Sequence, residues 1–78
     1  MPTVFRSGPY RLFFYSAYRN EPRHVHVARG DCRAKVWLDP LQLHDSTGFG
    51  RAELNQVQQL VAVHADVLRR AWDDFFSR

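Results

Sequence analysis

The chain has 78 residues, a net charge of +3 and a single cysteine, Cys32, so it has room for one domain spanning 1–78 and none for an internal disulfide. Met1 to Gly8 lacks the apolar run of a signal peptide, and no stretch approaches the roughly 20 apolar residues that span a bilayer; a soluble, cytoplasmic protein with no membrane association is expected. The charge is uneven: residues 1 to 38 hold seven basic and two acidic side chains, a net of +5, whereas residues 39 to 78 hold four and six, a net of −2.

Thr3 to Arg6 reads as a short strand, and Ser7-Gly8-Pro9 as a turn. Tyr10 to Tyr18 is dense in aromatics and predicts a second strand. Arg19-Asn20-Glu21-Pro22 breaks the pattern, because proline cannot donate to a ladder. His24 to Arg29 alternates polar and apolar residues as a half-buried strand does, and Gly30-Asp31 turns the chain into a fourth strand at Ala34 to Leu38. These connection lengths give an antiparallel sheet of about four strands. Asp39 to Gly50 reads as an irregular connection, anchored by Leu41 and Leu43.

After Gly50 the period changes from 2 to 3.6. Leu54, Val57, Val61, His64, Leu68, Ala71 and Phe75 recur at spacings of three and four, with Leu60, Val67 and Trp72 widening the stripe. Gly50 stands at the N-cap, and Glu53 can reach back to its amide. A helix from about Arg51 to Phe76 would be roughly 39 Å long. That exceeds the ~30 Å breadth expected of so small a domain. Either the helix bends near residues 64–66, or its last turns project and offer Trp72, Phe75 and Phe76 to a partner. The fold class is α+β, with strands first and helix second.

Three stretches carry a resemblance. They are Thr3-Val4-Phe5 with Phe13-Phe14-Tyr15-Ser16; Asn20-Glu21-Pro22-Arg23-His24-Val25-His26-Val27; and Ala34-Lys35-Val36-Trp37-Leu38 with Gly48-Phe49 and Trp72. Together they resemble the small bacterial family catalogued as domain of unknown function 4160. The resemblance implies a component of a toxin–antitoxin-like pair, with a cognate small protein (of the domain of unknown function 2442 type) encoded nearby.

His24 and His26 are the residues best suited to chemistry. Two apart in a strand, they share a face, about 6.8 Å apart at Cα, while Val25 and Val27 turn to the core. Such a pair suits general acid–base work in a metal-independent ribonuclease, with phosphate held by Arg23, Arg29, Arg11 and Lys35. A divalent metal on Glu21, His24 and His26 is the alternative to a protein without a cofactor, although two histidines alone are not a site. The bland reading is that both imidazoles only hydrogen-bond their surroundings. His64 lies on the apolar stripe, where a core histidine is the default. Tyr10, Phe13, Phe14, Tyr15 and Tyr18 fit core packing on one face and, on the other, either base stacking or a protein contact, including a homodimer. Cys32 reads as incidental. Protein–protein contact, with nucleic-acid binding beside it, is the favoured expectation; whether the protein is an enzyme stays open.

Overall fold

A computed structural model describes residues 3–15 and 21–76. Five strands, β1 (Thr3–Ser7), β2 (Tyr10–Phe13), β3 (His24–Arg29), β4 (Cys32–Leu38) and β5 (Leu41–Thr47), are followed by helices α1 (Arg51–Val63) and α2 (Ala65–Phe76). The strands form one antiparallel sheet in the order β1-β2-β3-β4-β5, a meander in which every neighbour in sequence is a neighbour in space. Gly30, at φ +57, makes the tight two-residue link between β3 and β4, a backbone geometry that other residues adopt only at a cost.

The α+β class and the antiparallel sheet are as the sequence indicates, but the sheet has five strands and not four. The additional strand is β5, in the stretch expected to be irregular. It pairs with β4 from Leu38↔Leu41 to Arg33↔Thr47, with a register shift between Lys35 and Val36. As an edge strand it bonds on one side only, so turn-forming residues such as Asp45 and Ser46 are tolerated there. The second strand ends at Phe13, and residues 16–18 of the expected longer strand lie outside the described residues.

The expected single helix is two helices, broken at His64, so the bend near 64–66 is the alternative that the chain adopts. The molecule measures 36 × 23 × 21 Å, too short for a straight helix of roughly 39 Å. Neither glycine nor proline makes the break. The His64 ring Nδ1–H donates to the Leu60 carbonyl at 3.0 Å, sharing it with the His64 backbone N–H at 3.3 Å. A side chain inserted into the helical ladder is a known cause of kinking. The His64 ring also packs against Phe5 at 4.4 Å, which ties the bend to β1.

Both helices cover one face of the sheet. Val57, Val61, Leu68 and Trp72 meet Leu12, Val25, Val27, Val36 and Leu38 in the core. Val67, expected to widen the apolar stripe, is 52% exposed, because after the bend the buried line runs through Ala65, Leu68 and Trp72. Arg69 holds α2 to the sheet by donating Nε at 3.1 Å and Nη2 at 2.7 Å to the Leu38 carbonyl. Among the described residues no helix is long and apolar enough to cross a membrane.

Candidate functional site

Alternation along β3 sends Val25 and Val27 into the helix-covered face and His24 and His26 to the other, as their spacing predicts. Cross-strand pairing extends that second face: His24 lies opposite Trp37, and His26 lies opposite both Phe13 on β2 and Lys35 on β4. The imidazoles are nonetheless not open to solvent. His24 is fully buried, with its ring 4.8 Å from Trp72, 5.5 Å from Trp37 and 5.1 Å from His26. His26 is partly buried, stacked on Phe13 at 5.5 Å and edge-on to Tyr15 at 4.5 Å. Trp72 reaches His24 because it sits near the C-terminal end of α2, at the end of the sheet where β3 begins.

This environment sets the protonation of the pair. His24 Nδ1–H donates to the Pro22 carbonyl at 3.0 Å, which leaves Nε2 as the basic nitrogen of the neutral ring. Burial pushes the His24 pKa down, against the smaller opposing effect of that hydrogen bond. His26 falls to about 4, chiefly through burial and then through the neighbouring His24 and Lys35. Both rings are therefore uncharged near neutral pH.

Lys35 lies directly opposite His26 and is mostly buried. Its Nζ bonds Glu21 at 2.7 Å and lies 4.7 Å from the Trp37 ring centre. Lys35 holds the Glu21 carboxyl below its usual range, and Glu21 approaches His24 Nδ1 at 3.8 Å. Of the proposed metal set, then, Glu21 is engaged by Lys35 and His24 by the Pro22 carbonyl. Among the described residues no group of three His, Cys, Asp or Glu side chains is arranged to hold a metal ion.

The four proposed phosphate-binding residues do not converge on the histidines. Arg23 pairs with Asp73 of α2 at 3.1 Å. Arg29 belongs to the face of Val25 and Val27, where it makes a two-pronged contact with Glu53 of α1, at 2.5 Å from Nε and 2.7 Å from Nη2. Tyr10 donates to the same carboxylate at 2.8 Å. Arg11 places its guanidinium 4.9 Å over Phe13. Only Lys35 adjoins the histidines, and it already has an acidic partner. The distribution follows from strand parity: residues an odd number apart occupy opposite faces, so Arg29 cannot join His24 and His26.

The proposed partner surface at the end of α2 folds inward. Trp72 is buried and packs edge-on to Phe14 at 5.2 Å, and Phe75 and Phe76, both partly buried, lie 6.0 and 6.4 Å from the same ring. The bend at His64 is what turns these residues back onto the sheet.

Sequence reasoning missed the Arg29–Glu53–Tyr10 network, having assigned Glu53 to the Gly50 amide. Glu53 is held below its usual range by Arg29 first and Tyr10 second, and Gly50 has no side-chain cap. The signal available was an acidic residue in the first helical turn and a basic residue at a strand end, which is too common to single out. His44, 5.0 Å from Trp37, was also missed, since it lies on the unrecognised β5.

The fold and this face define a small α+β protein: a five-stranded meander backed by a bent helix, with a neutral histidine pair set among aromatic rings. The chain belongs to the family described as a domain of unknown function (DUF4160), which matches residues 10–73 and so takes in β2 through most of α2. No curated protein and no solved structure matches it.

Proposed function

We propose that the chain is the contact-making, non-catalytic member of a toxin–antitoxin-like pair, and that it binds a cognate small protein encoded nearby by accepting a strand along β5. The observation that carries this reading is the open edge of the sheet. β5 has seven residues, contains no proline and no lysine, is bonded among the described residues to β4 alone, and exposes Leu41, Gln42, His44, Asp45 and Thr47. Long edge strands are templates for strand addition, with main-chain hydrogen bonds giving affinity, and here Asp45 and the register shift between Leu43 and Asp45 guard only the second half. Leu41, 38% exposed, supplies an apolar anchor at the start of that edge.

The low basicity of the histidines supports binding over a ribonuclease mechanism. A general base works best with a pKa near the operating pH, and a general acid must hold a proton there. Burial of His24 and His26 works against both requirements. The pair instead fills the space between Phe13, Tyr15, Trp37 and Trp72.

Hydrogen exchange on the chain, alone and mixed with the neighbouring gene product, tests the reading. Amides of residues 41–47 should gain protection in the complex, and Leu41→Asp should weaken association at least tenfold without unfolding the protein. No complex at micromolar concentration, or a complex that leaves those amides unprotected, would remove β5 from the interface.

A further inference from the structure

The helix-free face carries a second surface, distinct from the β5 edge and bordering the histidine cluster. Across the ladder, Arg6 of β1 lies opposite Arg11 of β2, Arg11 opposite Ala28 of β3, Ala28 opposite Arg33 of β4, and Arg33 opposite Thr47 of β5. Directly paired residues project to the same side of a sheet. Three arginine side chains therefore leave one transverse row on the face away from α1 and α2, the Arg11 guanidinium leaning over Phe13 and that of Arg33 over its own turn. At an interstrand spacing of ~4.8 Å, the backbones of Arg6 and Arg11 are one step apart and those of Arg11 and Arg33 about 10 Å apart, and long side chains can swing to follow a ligand. Ala28 between them is small and buried, so no side chain interrupts the row.

Arg6 and Arg33 are exposed and Arg11 is partly so. Among the described residues, the cationic groups in ion pairs with carboxylates are Arg23, Arg29, Lys35 and Arg69; none belongs to this row. Arg33 donates only to the Gly30 and Cys32 carbonyls of its own turn. The carboxylate nearest in register, Asp45, sits one row along, opposite Lys35.

Like charges directly opposite on adjacent strands destabilise a sheet. The Arg6↔Arg11 pair is such an arrangement, and it works against folding unless an anion lies across it. Guanidinium forks match phosphate oxygens two at a time. Farther along β4 on the same face, the partly exposed Trp37 lies beside exposed His44, offering ring surface on which a base can stack. We propose that the Arg6–Arg11–Arg33 row binds the phosphodiester backbone of a single-stranded nucleic acid. An acidic peptide would use the charges without the rings, and an anionic membrane would require apolar side chains flanking the row.

Fluorescence anisotropy with a labelled twelve-nucleotide oligouridylate tests this. Three neutralised phosphates give a slope of about −2 in log affinity against log salt, or roughly 20-fold weaker binding at 200 mM than at 50 mM salt. The triple variant Arg6→Gln, Arg11→Gln, Arg33→Gln should lose most of that affinity while staying folded by circular dichroism, relief of the repulsive pair offsetting the lost Arg11–Phe13 and Arg33 turn contacts. Arg33→Gln alone, whose side chain meets only its own turn, should reduce the slope by about 0.7. Arg51→Gln and Arg70→Gln, exposed on the helices, should bind as the native chain does. The proposal is overturned if the triple variant binds within twofold of the native chain, or if binding is insensitive to salt. Tighter binding to phosphatidylserine vesicles or to polyglutamate than to the oligonucleotide overturns it in favour of those partners.

Discussion

Acidification between pH 7.5 and 5 should destabilise this protein through His26. Its pKa lies at about 4 in the folded chain against 6.5 when unperturbed. Between those values the unfolded chain binds a proton that the folded chain excludes, so stability is fully present above about pH 6.5 and is lost as the pH falls. Each pH unit in that window is worth about 1.4 kcal/mol, so the drop to pH 5 amounts to about 2 kcal/mol from His26 alone. His24, depressed by the same burial, adds to it with the same sign. A chain of this length has a total stability of about 4–12 kcal/mol, so the loss is large in proportion. Urea unfolding at pH 7.5, 6.5, 5.75 and 5, followed by the fluorescence of Trp37 and Trp72, reads it as a midpoint shift of roughly 1–2 M. Stopping at pH 5 keeps most of the carboxylate contribution out of the comparison. His26→Gln should be less stable than the native chain at pH 7.5 but should lose about 2 kcal/mol less on acidification. Equal native stability at pH 7.5 and 5, or an undiminished loss in His26→Gln, would refute the burial argument.

Three further perturbations follow from the packing. Trp72→Ala removes a buried ring that touches His24, Phe14 and Phe76, and should cost about 3–5 kcal/mol, leaving a measurable unfolded fraction by circular dichroism. Gly48→Ala places a methyl 3.0 Å from the Cys32 sulfur at a residue with φ +90, and should cost about 1–3 kcal/mol in urea unfolding. Glu53→Gln breaks the clamp that Arg29 and Tyr10 make on α1; the melting temperature should fall at pH 7, and the gap to the native chain should close as acid protonates Glu53 through its lowered pKa.

What the sequence made legible was whatever a local period records. Alternation placed Val25 and Val27 on the helix-covered face and the imidazoles on the other, though not their burial there, and the stripe through Val57, Val61 and Leu68 located the helical core. The missed strand, and the bend that stayed one of two alternatives, both arose where local signals compete or run out. Leu41, Gln42, Leu43 and His44 do alternate, but the turn-formers on either side, Asp39-Pro40 and Asp45-Ser46-Thr47-Gly48, outweighed four residues of pattern. At His64 the break depends on a ring reaching its own helix and on Phe5, nearly sixty residues away in the chain, and no window of sequence holds both. The candidate site was legible as a pair of residues but not as an environment. Whether His24 is exposed is decided by Trp72, and whether an arginine reaches it is decided by strand parity together with the position of Glu53.

The contact between Phe5 and His64 reaches beyond the span shared with the family, which begins at Tyr10. A chain trimmed to that span would keep every residue of the histidine cluster and yet lose the ring that braces the elbow between the two helices. The elbow in turn aims Trp72 at His24. Removing the first nine residues should therefore be felt at the far end of the molecule, as a loosened lid over His24.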